Sequence, residues 1–499
     1  MLVMAATAGI KFFWGGDIEY PSGIEVDSQD NVFVVGFLAE CDDPSSLYYS
    51  TARIGDNNGV DYTSPNTPTA CQRTFLAKFN TNGVFQWIHY PYAPIANYPW
   101  ANHPFSSRNF YIINDVIHWV CSIPPGTYEG GAFSNTNTSL PFLYYLLKYD
   151  TSGAFISATP FDLELSNFTS AELRWYRNPY NGYYYAIYLN DSSNNITVIA
   201  NGNNLNYTLP KIICFNEQGQ YQWHREPSGD QIKFDGLTFD NNNNIYLTGI
   251  ANNFIVHSFL SWNLPGSNTG FASFIMKCNP DITSYSWVTH HSQGSANANN
   301  ALFYTSSSIY FGGAINQNPL SWNGQTIAGP GANNDADPLL ARFDPATGAC
   351  LGLQRLVGTN GYGDAFTNIV QDAAGDLLLG GYMGLDLTDS NGVQHFTAGG
   401  NSDFFVTKYA TQACQPLSNE SFENESIKVY PNPVKEKLQV VIKENMSYTL
   451  YNLLGTVIQK GKLTPQENSI NTISLQPGCY VLQLTNGQGN VLQLKMVKE

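Results

Sequence analysis

A thirteen-residue stretch, FLAKFNTNGVFQW at residues 75–87, constrains this chain most, because its pattern returns four more times. Apolar residues alternate up to a turn at Asn80–Gly83, and a second run returns from Val84 to Trp87, the pattern of a β-hairpin. The later copies are FLYYLLKYDTSGAFIS, LPKIICFNEQGQYQW, FASFIMKCNPDITSYSW and DPLLARFDPATGACLGL. One register runs through Phe79, Tyr149, Phe215, Cys278, Phe343 and Tyr409, in steps of 70, 66, 63, 65 and 66 residues. Spacing this regular over most of a chain marks a repeat architecture.

Each copy is preceded by a second hairpin. It reads GIEVDSQDNVFVVG, DGLTFDNNNNIYLTG, ALFYTSSSIYFGG and NIVQDAAGDLLLGG, with weaker versions in YIINDVIHWVC and LRWYRNPYNGYYYAI. Its end register is Gly36, Cys121, Ile187, Gly249, Gly313 and Gly381. Four strands per unit and six units predict an all-β chain whose main part is a six-bladed β-propeller. The last unit stops after DFFVTKYATQ without an FxW strand, and the chain begins with Phe12-Phe13-Trp14 in that register. The N-terminal strand is therefore expected to complete the last blade, a closure that removes open sheet edges. Residues 1–410 are assigned to the propeller, with residues 178–190 departing most from the pattern.

The repeat resembles the SBBP-type bacterial β-propeller repeats, which share a D-x-x-G-N-x-Y-V-x-G hairpin followed by a D-x-F-x-x-K-x-D strand. Asp240 to Gly249 and Asp403 to Lys408 carry the likeness best.

Residues 411–427, TQACQPLSNESFENESI, are polar and unpatterned and read as a linker. Short alternating runs follow, from KLQVVIK to VLQLKMVKE, and predict a small C-terminal β-sandwich at 428–499. Tyr430-Pro431-Asn432-Pro433 opens this part, Gly455, Gly478 and Tyr480 punctuate it, and Lys495 and Lys498 lie in the closing KMVKE. In that order these blocks resemble a type A C-terminal sorting domain of the type IX secretion system. The resemblance implies a Bacteroidota-type secreted cargo with two partners, the type IX translocon and a sortase-like peptidase that releases or anchors it. It also implies an extracellular or outer-membrane-surface location.

Charge supports a partner class by exclusion. The net charge is −16, yet residues 427–499 hold eight Lys against four Glu, which leaves −20 for the rest. An acidic propeller is a poor partner for nucleic acid or anionic membrane. No apolar run reaches transmembrane length. MLVMAATAG has no basic residue before its apolar run, so it is not read as a signal peptide; the start is expected to be truncated or misassigned.

Antiparallel order puts all the tight turns on one face of a propeller and the long links on the other, where binding usually resides. The largest insertions fall in the first unit: Gly36 to Phe79 is 43 residues, against 28 to 30 in the others. In its loop 88–108, Tyr90, Tyr92, Tyr98, Trp100 and Phe105 form a candidate platform for sugar rings, which present apolar C–H faces to aromatics. The same residues equally suit loop packing. Asp56, Asn58 and Asp61 in GDNNGVDY are weak candidate calcium ligands, without EF-hand spacing, and no other cofactor is expected. Cys41 and Cys71 bracket one loop and are expected to form a disulfide, while Cys121, Cys214 and Cys278 fall in strands as buried thiols. His89, His224 and His290 each follow a fourth-strand Trp and are candidate metal or catalytic groups if they converge. No nucleophile elbow, HExxH or phosphate loop is present.

The sequence therefore predicts a secreted or surface-displayed binding module for carbohydrate or another surface polymer. The alternatives are a polysaccharide-active hydrolase or lyase with its site on the loop face, and a structural surface protein.

Overall fold

Aspartate and asparagine at the turns set the strands. The Asp240 carboxylate accepts backbone N–H bonds from Asn242 and Asn244 at 3.0 and 2.9 Å, and Asp27 does the same for Gln29 and Asn31. Asn80, Asp150, Asn216, Asn279 and Asp344 cap the second turns in the same way. A side chain that satisfies its own turn fixes where the chain reverses, and so fixes strand register.

The computed structural model describes residues 19–39, 53–55, 61–63, 72–81, 83–89, 110–140, 142–166, 173–188, 197–205, 211–226, 232–252, 256–257, 259–263, 271–330, 336–358, 363–372, 374–388, 394–396, 403–410, 427–452, 457–487 and 491–499. It divides into two compact modules, Met1–Thr411 and Gln412–Glu499.

The first module holds six antiparallel units in series. Unit one pairs Glu19–Val26, Val32–Ala39, Gln72–Phe79 and Phe85–His89 in that order. Unit two uses Phe110–Ile113, Val116–Ile123, Leu143–Asp150 and Phe155–Pro160, and unit three Leu173–Arg177, Tyr184–Tyr188, Lys211–Phe215 and Tyr221–Arg225. Unit four begins with Ile232–Phe239, Ile245–Asn252 and Phe271–Cys278. Its fourth strand is the start of Tyr285–Thr305, which runs on to become the first strand of unit five. Ser308–Trp322, Ala336–Phe343 and Cys350–Arg355 follow, so units four and five share one eight-stranded sheet. Unit six has three described strands, Ala365–Gln371, Leu377–Met383 and Asp403–Tyr409. Phe12–Trp14, the expected fourth, lies outside the described residues.

The apolar middle strands face two cores at once. In unit two, Trp119 and Leu147 pack with Phe33 and Leu76 of unit one, while the alternate residues Val120 and Leu146 pack with Trp175 and Ile213 of unit three. That is why these strands read as nearly continuous apolar runs. Units three and four share Tyr185, Cys214, Phe234 and Met276, units four and five Ile275, Phe311 and Leu339, and units five and six Tyr310, Leu340, Phe366 and Leu379. A sixth core joins Val370 of unit six to Ile24, Val34 and Ala77 of unit one.

The end-register glycines have a specific cause. In units one, four, five and six the first strand bulges opposite Gly36, Gly249, Gly313 and Gly381. The bulge pushes a carbonyl across the partner strand: a Cβ on Gly249 would meet Lys233 O at 2.0 Å, and one on Gly381 would meet Ala365 O at 2.2 Å. Units two and three carry Cys121 and Ile187 at this register, and their first hairpins pair without a shift.

Each link between second and third strands forms a short hairpin of its own: Arg53–Gly55 with Asp61–Thr63, Gly126–Tyr128 with Phe133–Asn135, Thr197–Ala200 with Asn203–Leu205, Val256–His257 with Trp262–Asn263, the end of Ser308–Trp322 with Gln325–Ile327, and Asp386–Thr388 with Gln394–Phe396.

In the second module, Lys428–Tyr430, Lys437–Val441 and Ser469–Asn471 form one sheet, and Val457–Leu463, Met446–Asn452, Gly478–Asn486 and Val491–Lys498 form another. Val434, Leu438, Val440, Leu450, Leu482 and Met496 belong to one core. No helix among the described residues is long and apolar enough to cross a membrane.

Candidate functional site

The best-defined polar constellation lies where unit one meets the link hairpin of unit two. Strand Phe85–His89 alternates, so Trp87 and His89 project to one side, and Trp87 packs against the core shared with unit two. Opposite, the hairpin Gly126–Tyr128/Phe133–Asn135 is pinned by Tyr128 OH donating to Pro124 O at 2.8 Å and by Asn135 Nδ2 donating to Ile123 O at 2.7 Å. Its turn holds Glu129 at φ +52°, a left-handed conformation that costs a non-glycine residue on the order of 1 kcal/mol or more. That turn brings Glu129 Oε1 to 3.0 Å from His89 Nε2 and 2.8 Å from the Tyr149 hydroxyl, which donates to it.

Burial pushes the Glu129 carboxyl up, but the His89 and Tyr149 bonds outweigh it and hold the group below the ordinary carboxylate value. An ionised carboxylate only accepts, so His89 donates to it from Nε2. Burial and the Glu129 charge raise the Tyr149 phenol, so its proton stays in place. The result is a half-buried imidazole oriented through Nε2 by a carboxylate, with Nδ1 as its other ring nitrogen. Burial and the same carboxylate push the nearby Cys121 thiol well up, so it is no nucleophile.

Two further groups carry little sequence signal. Lys211 is fully buried over the Tyr188 ring at 4.5 Å, and burial pushes it down to about 8 despite Glu226 at 3.8 Å. Asp337, Asp364 and Asp386 are buried around Gly358, where the Gly358 N–H bonds Asp337 at 3.1 Å, the Gly384 N–H bonds Asp364 at 2.7 Å, and Arg355 and Gln394 contact Asp337 and Asp386. Among the described residues no group of three His, Cys, Asp or Glu is placed to hold a metal ion. The three aspartates come from units five and six, and only the fold places them together.

The candidate histidines do not form one cluster in these contacts: His89 meets Glu129, His224 Nδ1 meets the Tyr221 hydroxyl at 2.8 Å, and His290 bonds the His291 carbonyl at 2.9 Å. The platform residues Tyr90, Tyr92, Tyr98, Trp100 and Phe105 lie outside the described residues, as do Asp56, Asn58, Cys41 and Cys71. Asp61 begins the short strand Asp61–Thr63. Cys121, Cys214 and Cys278 are buried free thiols.

In the second module the opening and closing motifs meet. Asn432 Oδ1 accepts the Val497 N–H at 2.8 Å, and its Nδ2 donates to Lys495 O at 2.8 Å. Beside it, Val434 N donates to Val497 O at 2.8 Å and Glu499 N to Val434 O at 3.0 Å. Gly478 and Lys498 face each other across the final strand pair, and the Tyr480 hydroxyl donates to Gln476 O at 2.8 Å. Tyr430 is exposed, and Gly455 lies outside the described residues. The family model for the secretion system C-terminal sorting domain matches residues 428–499.

Residues 428–499 are a type IX sorting domain. A sorting domain implies interaction with the type IX secretion machinery and export to the cell surface or the extracellular space. No curated protein matches the chain significantly. Solved structures similar to it include the Dos1 propeller, at 8% identity and TM-score 0.33, covering 80% of this chain and 95% of that one. Hydrazine synthase of Kuenenia stuttgartiensis shows 8% identity and TM-score 0.33, covering 76% of this chain and 96% of that one. A member of the DUF4221 family from Bacteroides vulgatus shows 9% identity and TM-score 0.27, covering 61% and 92%.

Proposed function

We propose that this chain is a type IX cargo in which the sorting domain delivers a closed six-bladed β-propeller of the SBBP-repeat kind, acting as a binding or adhesion module for carbohydrate or another surface polymer. Residues 1–410 are the propeller, 411–427 the linker and 428–499 the sorting domain, which a sortase-like peptidase removes. The observation that carries this reading is the match of residues 428–499 to the sorting-domain family. Six serial units and a core common to units one and six support the ring. The aromatic density of residues 88–108, which begin beside His89, supports a sugar-binding surface.

One observation favours a second reading. The His89–Glu129 pair has the form of an acid–base couple, which a polysaccharide hydrolase or lyase needs. One experiment separates the two. The purified full chain is screened against glycans and polysaccharides, and the same samples are analysed for products by mass spectrometry. Binding without turnover is the expected result. Turnover that is lost in His89→Ala and Glu129→Gln establishes the enzyme instead, and neither binding nor turnover leaves a structural surface protein. Export is tested by deleting 428–499 in a host with a type IX system: the variant is expected to stay inside the cell envelope, and surface appearance would refute the cargo assignment.

A further inference from the structure

Units one, four and six neutralise their third-strand lysine with an aspartate from their own first turn. Lys78 lies 3.4 Å from Asp27, Lys277 3.2 Å from Asp240, and Lys408 2.6 Å from Asp372. Unit two departs from this arrangement. Its first turn is the two residues Asn114 and Asp115, both at positive φ. This tight hairpin has no place for the longer capped turn. The Asp115 carboxylate instead accepts the Ser28 N–H and hydroxyl of unit one, at 3.0 and 2.7 Å. Lys148, the equivalent lysine, has no carboxylate within ion-pair distance among the described residues.

The rest of this corner is also rich in donors. Phe33 and Tyr246 sit across the strand pair from Lys78 and Lys277, and His118 takes that place opposite Lys148. His118 Nδ1 meets the Tyr184 hydroxyl of unit three at 2.8 Å. Burial raises that phenol, so its proton stays in place; with the hydroxyl as donor, the imidazole proton is on Nε2. Burial and the fields of Lys148 and Arg177 push His118 down to about 3, so the ring is neutral. Arg177 lies over the Tyr184 ring at 5.8 Å with its side chain only 8% exposed. Glu217, itself 55% exposed, reaches one terminal nitrogen at 3.2 Å. The Arg177 Nε–H is buried and has no acceptor among the described residues. His118 lies in the fields of both cations, and the buried orphan donor of Arg177 calls for an acceptor.

We propose that His118, Lys148 and Arg177 form an oxyanion site at the junction of units two and three, taking a sulfate, phosphate or carboxylate group. The bound anion supplies the negative charge that Asp27, Asp240 and Asp372 supply elsewhere. The site stands independently of whatever the loops of unit one bind.

The test uses the full chain and follows its thermal midpoint in sodium sulfate, phosphate or acetate against sodium chloride at equal ionic strength. The wild type is expected to show a saturable upward shift with at least one of the three, and the effective anion identifies the group. Lys148→Gln is expected to need roughly tenfold more anion for the same shift. Lys460→Gln, an exposed change in the sorting domain, is expected to leave the response intact. His118→Phe restores the ring type of units one and four, and serves as the second variant if Lys148→Gln folds poorly; it too is expected to weaken the response. A shift equal in all variants means general screening and overturns the proposal. So does no shift with any anion, which means that the corner holds only water.

Discussion

The Lys277 ammonium lies 3.2 Å from the Asp240 carboxylate, and also 3.4 Å from the carbonyl of Pro345 in the next unit. One side chain thus ties the first turn of unit four to the second turn of unit five. Lys78 repeats the device between Asp27 and Thr151 O, at 3.4 and 3.0 Å. Each lysine also stands over an aromatic ring, Phe33 or Tyr246, at 5.0 Å. Lys277→Met is expected to cost about 1.5–3 kcal/mol, because it strips a buried carboxylate of its cation. Equilibrium unfolding in denaturant measures it; a loss below 0.5 kcal/mol would contradict the role assigned here.

The same network sets an acid limit. Burial raises the Asp240 carboxyl, but its bonds to Asn244 and Lys277 hold it below the ordinary value. A depressed folded pKa contributes stability that is present above the ordinary carboxylate range and lost as pH falls through the folded value. Asp240→Asn is therefore expected to be less stable than the wild type at pH 7, with the gap narrowing below about pH 4. A gap independent of pH would show that the charge contributes nothing.

Lys211 acts with the opposite sign. Burial lowers it from 10.5 to about 8, so below pH 8 the folded state carries a penalised charge. Between those values the folded protein sheds a proton that the unfolded chain keeps, and stability rises with pH. Stability of the wild type relative to Lys211→Met is expected to improve by about 2–3 kcal/mol from pH 7 to 10.5. Denaturation curves at both pH values decide this, and a constant difference would mean that the amine titrates normally.

Gly249→Ala tests the bulge. The new methyl would meet Lys233 O at 2.0 Å, whereas one at Gly352 meets nothing within 4 Å. The first change is expected to cost about 3 kcal/mol or more and the second under about 1 kcal/mol. Similar costs at both sites would remove the explanation of the glycine register.

Asn432→Ala tests the sorting domain. Loss of two bonds to the final strand is expected to destabilise its docking by about 1–2 kcal/mol and to reduce surface export. Comparing surface and periplasmic amounts by immunoblot checks this, and full export would separate the Asn432 contacts from sorting.

The repeat was legible because turn caps and alternation are local: Asp27, Asn80, Asp240 and Asp344 each sit at the reversal their side chains create. Unit three, with the weakest motif, has the same four strands, because Tyr184, Ala186 and Ile213 still fill the core shared with unit two. Gly249 was visible as a register, but its reason was not, since a bulge depends on the strand opposite. The long links are placed by the sequence only as the face where binding resides, yet each contains a hairpin, and the one at 126–135 carries Glu129 to His89. Gly130-Gly131 marks the turn in the sequence, but the partner 40 residues away is set by the fold alone. Tyr98, Trp100 and the other platform residues fall outside the described residues, so the proposed ligand surface still rests on composition.

Closure of the ring is the central structural claim, and Ile24 and Val370, at its two ends, share a core. The most direct measurement introduces cysteine at both positions, treats the dilute protein with a short thiol–thiol crosslinker and maps the products by peptide mass spectrometry. The account predicts a crosslinked peptide pair within single chains, joining residues 24 and 370, which disappears when the protein is unfolded first. Crosslinks found only between chains, or none at these positions, would contradict a closed ring.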